Sequence, residues 1–441
     1  MRKLTNAIAI LFMMFAMTAF INMPVLAQDS ETQVEETEEE DDDDEDSDDT
    51  TVAAESDSES DEPEQEEGAE TSEDAEDIEI DEATLEKMAA SGELTEEMIL
   101  NDPSIYLDAE SLQKAKNYDV IFNEMLADDI YPAWVIFKQM SKQMRDKPTV
   151  AVYIEENAHI KVTIKANDLM DESISEKDIT DEDGGLFVPT VNWKRQALLN
   201  ADQPGFINFS AIVEVNGEVK NRFDKQITFR SVNEAVFGFE SEHGYENYGM
   251  LFACFVNEDN PRIDQVLGQI LAQNPGKSFT GYMAETDEEV MEQIEMVWNY
   301  FSKKGTHYSN VTDTSNNGGK ITTQYIRFFN QVIDNNQANC IDGTCMLASI
   351  FKKIGLDVSI VLIPGHAFLG LKGKEYRKEF DGPQNWFIET TMMGSNTDVG
   401  AAIEEGNKEY QDTYKEHSED GQMSYISVAE ARENGIMPIN K

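Results

Sequence analysis

The chain is short of cysteine, histidine and positive charge. Three cysteines in 441 residues cannot all pair with one another. Cys340 and Cys345 stand five apart on one helical stretch and face different ways, a poor geometry for a disulfide. Of the five histidines, His159, His243, His307 and His417 lie in polar or strand-edge contexts that read as exposed, which leaves His366. Lys and Arg number 34 against 88 acidic residues, for a net charge of −54. Nucleic acid and anionic membrane surfaces are therefore not expected as partners, because their affinity comes largely from Lys and Arg neutralising phosphates. After the N-terminal segment no apolar run reaches the roughly 20 residues that a membrane-crossing helix needs. No cofactor signature is present, and no internal repeat.

Met1 to Ala27 has the three zones of a secretory signal peptide: Arg2 and Lys3, an apolar run from Ala7 to Phe20, and Val25-Leu26-Ala27 with small residues before Gln28. The expectation is export, to the periplasm, the cell surface or the medium, with cleavage near Ala27. An uncleaved anchor is the alternative, and the lack of a Cys at the cleavage point argues against a lipoprotein. Residues 28–86 carry 32 acidic side chains and no Lys or Arg. Such a segment cannot bury enough apolar surface to offset its ordering entropy, so it is expected to be disordered. The leader contributes +2 and this segment −32, so residues 87–441 still carry −24. That charge fits solubility, a salty habitat or a cationic partner. Calcium capture by the tail lacks a preformed cage.

The remainder reads as α+β. Residues 87–147 form a helical segment, with Ile121, Phe122, Met125 and Leu126, then Trp134, Val135, Phe137 and Met140, at helical spacing. Residues 148–234 alternate as strands: Val150, Val152, Ile154; Ile160, Val162, Ile164; and Phe209 to Val215 leading into Asn216-Gly217, a hairpin signal. They predict an antiparallel, sandwich-like β domain. Its acidic loop, Asp178 to Gly185, fails the EF-hand template because Ile179 stands where an Asp is needed. In 235–441, Leu251 to Val256 reads as a short apolar strand or buried segment, and Asn257 to Ile270 as a helix. Glu288 to Phe301 reads as an amphipathic helix, Thr306 to Gly319 as a polar loop, and Gln324 to Ile333 as a further helix. The last forty residues are expected to tuck back on the domain through Tyr425, Ile426 and Val428.

The chemistry concentrates between Gln337 and Gly394. Cys340 precedes a helix whose Leu347, Ile350, Phe351 and Ile354 make one apolar face, with Gly355 ending it. Asn339 and Cys340 sit at its cap and first turn, where backbone N–H groups and the helix dipole favour a thiolate. Val358 to Ile363 reads as a buried strand broken by Pro364-Gly365, and Ala367 to Leu371 as its return, so that a hairpin presents His366. Glu389 ends a third strand begun at Trp386. A thiol, an imidazole and a carboxylate are the parts of a cysteine nucleophile, its base and the group that orients the base. A helix laid on an antiparallel sheet would bring them into one cleft.

These residues resemble the transglutaminase-like cysteine proteins, whose core is similar to that of papain-type proteases. The family motif has a Cys opening a helix, a Gly fifteen residues on, a His-Ala-aromatic strand, and an acid before Thr after an aromatic. Here these are Cys340, Gly355, His366-Ala367-Phe368 and Glu389-Thr390 after Trp386. Asn339-Cys340-Ile341-Asp342-Gly343-Thr344 and Pro364-Gly365-His366 look closest to an exported bacterial subgroup. The motifs cover about residues 290 to 395. Three departures stand out: Ala338 replaces a frequent Gly, the aromatic is Phe368, and the acid is Glu rather than Asp. The resemblance implies amide chemistry on a peptide or protein substrate through a thioester, with hydrolysis favoured over transfer to an amine, and no cofactor or metal. The oxyanion would be met by the Cys340 N–H and a second donor, for which Gln337 is the candidate. Competing readings are a metal site of Cys340, Cys345 and His366, a non-catalytic module that binds peptide or cell-surface material, and a surface protein whose acidic tail is the active part.

Overall fold

Asn216 and Gly217 turn the chain with φ of 51° and 84°, the left-handed pair that a two-residue hairpin demands. They join β1 (Gly205–Val215) to β2 (Glu218–Phe229). The computed structural model describes residues 114–122, 129–142, 144–145, 148–180, 185–241, 244–309, 315–317, 321–377, 382–395, 397–417 and 423–441. The leader, the acidic segment, most of the expected helical segment, the tip of the acidic loop and His243 lie outside these residues.

Along β1, Ile207, Phe209, Ala211, Val213 and Val215 are buried in alternation, so one face of a five-stranded sheet is apolar. Its order is Asp129–Ile130, β2, β1, Ala158–Ile164, Ser173–Ile179. A three-stranded sheet of Val120–Phe122, Val150–Tyr153 and Leu186–Phe187 meets it through Phe122. The Phe122 ring lies 4.8 Å from that of Phe209 and 5.6 Å from that of Phe223. Ile121 and Phe122 were expected on a helix and instead form this strand, with Ile121 opposite Ala151. Pairing and ring packing outweigh a helical spacing carried by four residues. The helix expected around Trp134 is present as α1 (Pro132–Met140), with proline in its first turn.

Beyond residue 234 the chain places helices around two further sheets. One pairs Gly244–Asn247, β3 (Glu234–Ser241), β4 (Ile321–Tyr325) and Ser315–Asn317 in that order. The helix expected from Gln324 therefore begins only at Phe329, as α4 (Phe329–Asn335), after α2 (Pro261–Gln273) and α3 (Asp287–Lys304). Within the expected polar loop, His307–Tyr308 and Ser315–Asn317 are strands. The Leu251 region is a buried 3-10 helix, Gly249–Phe255. The other sheet has the order β7 (Gly382–Ile388), β6 (His366–Arg377), β5 (Val358–Ile363), β8 (Ser424–Ser427). Against it pack α5 (Cys340–Lys353), α6 (Val399–His417) and the short α7 (Val428–Glu433). α6 was not anticipated. Its Val399, Ala402 and Ile403 are buried, and Tyr410 stacks on Phe387 of β7 with ring centroids 3.8 Å apart.

α5 departs from the amphipathic expectation. Every residue from Ile341 to Phe351 is buried, because the sheet covers one side while the 3-10 helix, α2 and α4 cover others. Its polar groups are satisfied locally: Ser349 Oγ donates to the Cys345 carbonyl at 2.6 Å and accepts the Asn257 N–H at 2.8 Å. Small residues at Gly343, Thr344, Cys345, Ala348 and Ser349 permit this close approach on several sides. The apolar core is continuous from Ile130 to Ile439.

Candidate active site

Cys340 is the first residue of α5 because Asn339 caps it. Asn339 Oδ1 accepts the Asp342 N–H at 2.9 Å and Asp342 Oδ2 accepts the Asn339 N–H at 3.0 Å, a reciprocal box that fixes the first turn. Asp342 is held in turn by Arg327, whose backbone N–H reaches Oδ1 at 2.7 Å and whose guanidinium reaches Oδ2 at 2.5 Å. Both residues are buried. Burial pushes the Asp342 carboxyl up, against the pull of these donors. The turn that carries Cys340 is thus anchored from beneath by an Arg327–Asp342 ion pair that has no local sequence signal.

His366 follows the turn it was expected to follow. Pro364-Gly365, with Gly365 at φ 74°, closes the β5–β6 hairpin so that Ile363 faces His366. β7 pairs with β6 so that Ile388 faces Leu369. One step further puts Glu389 across from Phe368, on the pleat face that His366 shares. The result is a hydrogen bond of 2.6 Å between His366 Nε2 and Glu389 Oε2. The other carboxylate oxygen accepts the Thr391 N–H at 2.7 Å and the Thr391 hydroxyl. Burial works to raise the Glu389 pKa, but the His366 bond and charge and the two Thr391 donors hold it below the usual range.

The thiol completes the set. Burial alone would lower the His366 pKa, yet hydrogen bonds to Cys340 and Glu389 and the charges of both reverse this and push it up to about 10. The raised pKa favours the protonated ring, whose Nε2 is engaged by Glu389. All three cysteines are free, and only Cys340 is partly exposed. Burial pushes Cys254 up to about 12 and Cys345 well above its ordinary value. Cys345 is turned to the Phe252 carbonyl, 4.0 Å away, so it does not join Cys340 and His366 around a metal. Of the other histidines, His159 and His307 are exposed strand residues, and His417 ends α6.

Gln337 stands on a short strand, Gln337–Ala338, that runs parallel to His307–Tyr308. Among the described residues no hydrogen bond links its side chain to the Cys340–His366–Glu389 group. Two residues outside the expected set are close. Tyr308 is half exposed, and its hydroxyl is pushed up by burial and by the charges of Cys340 and Glu389. Glu409, on α6, brings Oε2 to 3.5 Å from His366 Nε2. His366, Glu389 and Glu409 offer ligand atoms within 4.8 Å of one another. Two ligands of one tetrahedral ion at about 2.0–2.2 Å stand roughly 3.3 Å apart, whereas Nε2 and Oε2 of Glu389 are 2.6 Å apart. This trio has the spacing of hydrogen-bonded groups.

No family model matches the chain, and no curated protein matches it.

Proposed function

We propose that this protein is an exported cysteine enzyme acting on amide bonds of a peptide or protein through Cys340, His366 and Glu389. The observation that carries the reading is one imidazole hydrogen-bonded to a buried carboxylate at 2.6 Å and raised in pKa both by that carboxylate and by the Cys340 thiol at the first turn of a buried helix. The resemblance to transglutaminase-like proteins supports the same reading. It extends the α+β fold to a papain-like catalytic core over 235–441, preceded by a sandwich-like domain.

In this mechanism His366 takes the thiol proton of Cys340, and the thiolate attacks the amide carbonyl. The tetrahedral oxyanion meets the Cys340 N–H, one of the first-turn donors that a helix leaves without an internal partner, and a second donor, for which Gln337 remains the candidate. His366 gives its proton to the leaving nitrogen, the C–N bond breaks, and a thioester to Cys340 remains. Water attacks the thioester, returns its proton through His366 and releases the acid. Glu389 keeps the ring oriented and stabilises the imidazolium throughout.

The test is iodoacetamide labelling of the full chain against pH, in the wild type and in His366→Ala. Fast modification of Cys340 below pH 7 that is lost without His366 is the expected result. An ordinary thiol titration near 8.5 in both proteins rejects the enzyme and favours a module that only binds peptide or cell-surface material.

A further inference from the structure

α6 brings a second carboxylate to the one imidazole. Glu409 Oε2 lies 3.5 Å from His366 Nε2, the same nitrogen that Glu389 engages at 2.6 Å. That Glu409 oxygen is shielded from solvent and has no hydrogen-bond partner. One Nε2–H cannot serve both acids fully. A buried acceptor left without a donor is destabilising, more so when charged, and two carboxylates this close do not both ionise freely. A single proton on Glu409 resolves both problems, because the orphan acceptor becomes a donor to Glu389 and the like charges no longer face each other.

We propose that Glu409 is a positioning residue that holds a proton against Glu389, so that Glu389 alone grips His366, and that releasing this proton lets two carboxylates compete for the ring. The groups acting on Glu409 are Glu389 and His366 from the sheet and Glu405 from its own helix, the last paired with Lys408 at 3.4 Å. α3, which also packs on α6, contributes none of the groups that move it. Burial and then the Glu389 charge push Glu409 up to about 7, against the opposing pull of His366. Below that pH Nε2 has one partner and the ring is fixed; above it, His366 is shared and more strongly held as imidazolium. A more strongly held proton is a poorer acid for the leaving nitrogen, so acylation slows on the alkaline side.

The inference rests on the proposed nucleophile for its catalytic consequence, but its proton can be followed separately. The full chain, with histidine labelled by nitrogen-15, is titrated by NMR in the wild type, Glu409→Gln and Glu409→Asp. The expected wild-type result is a step in the His366 ring shifts near pH 7 that is absent from Glu409→Gln, whose amide is a permanent neutral donor. Glu409→Asp, with the carboxylate withdrawn by one methylene, should keep the step and displace its midpoint. Identical ring titrations in the wild type and either variant overturn the proposal. Failure of the nucleophile reading looks different: Cys340 reactivity is then independent of His366 while the ring step persists.

Discussion

Thr390 Oγ1 donates to the Cys340 carbonyl at 3.1 Å, tying the residue beside Glu389 to Cys340 itself. The same carbonyl accepts Thr344 Oγ1 at 2.8 Å, and the two threonine hydroxyls are 3.2 Å apart. The distance between Glu389 and Cys340 is therefore set by a short hydroxyl cluster as well as by strand pairing.

Replacing Thr390 with Val removes that tie while keeping the shape. Because Thr344 still serves the carbonyl, the stability cost should be about 1 kcal/mol. The larger effect is on geometry, and Cys340 alkylation below pH 7 should slow by about tenfold or more. Urea denaturation and labelling kinetics on one variant separate the two effects. An unchanged labelling rate would show that the strands alone set the site.

Arg327→Ala leaves the Asp342 carboxylate buried without its guanidinium. The expected loss is about 3–5 kcal/mol, read as a shift in the urea midpoint at constant slope. The double variant Arg327→Met, Asp342→Leu should recover part of it, although the helix cap is also removed. A loss below about 1 kcal/mol for Arg327→Ala would place the pair in water rather than in the core.

The pH dependence of stability has a definite sign. His366 rises from an ordinary 6.5 to about 10 in the folded chain, so folding favours the protonated ring. That contribution is complete below pH 6.5 and is lost as the pH rises through about 10. The urea midpoint should decline across this window, and the decline should be shallower in His366→Gln. Equal slopes for the two proteins reject the assignment.

At Gly406, α6 lies directly against the end of β7. A Cβ there would stand 2.5 Å from the Phe387 carbonyl oxygen and 2.9 Å from the Glu389 nitrogen. Backbone atoms cannot yield as a flexible side chain does, so Gly406→Ala should cost about 1–3 kcal/mol and lift Glu409 away from His366. The His366 ring step near pH 7 should weaken in this variant, although no ionisable group has been changed. A full-sized step would mean that the helix relaxes without moving Glu409.

The parts of the site differ in how legible they were. Cys340, His366 and Glu389 each carry a local signal: a cap before a helix, a Pro-Gly turn, and a strand end after an aromatic. Pairing of neighbouring strands brings such positions together without help from distant chain. Glu409 has no such signal. Val399, Ala402, Ile403, Gly406 and Tyr410 follow a helical period that would have revealed α6, but nothing local says which face meets His366. Arg327 was hidden for the same reason, since its partner Asp342 is defined by tertiary packing. The reverse error occurred at Ile121-Phe122 and at Gln324-Tyr325, which were read as helical and which pairing with Val150–Tyr153 and β3 made strand.

Burial of α5 on every side has a consequence for how the molecule breathes. A segment with no exposed flank opens only when the whole domain opens, so its amides should be among the slowest to exchange with deuterated water. α6 shows solvent one full side, including Glu404, Lys408 and Asp412, and should exchange through smaller, more frequent excursions. The site is thus assembled from a permanent half, which holds the sulfur, and a detachable half, which holds the second acid.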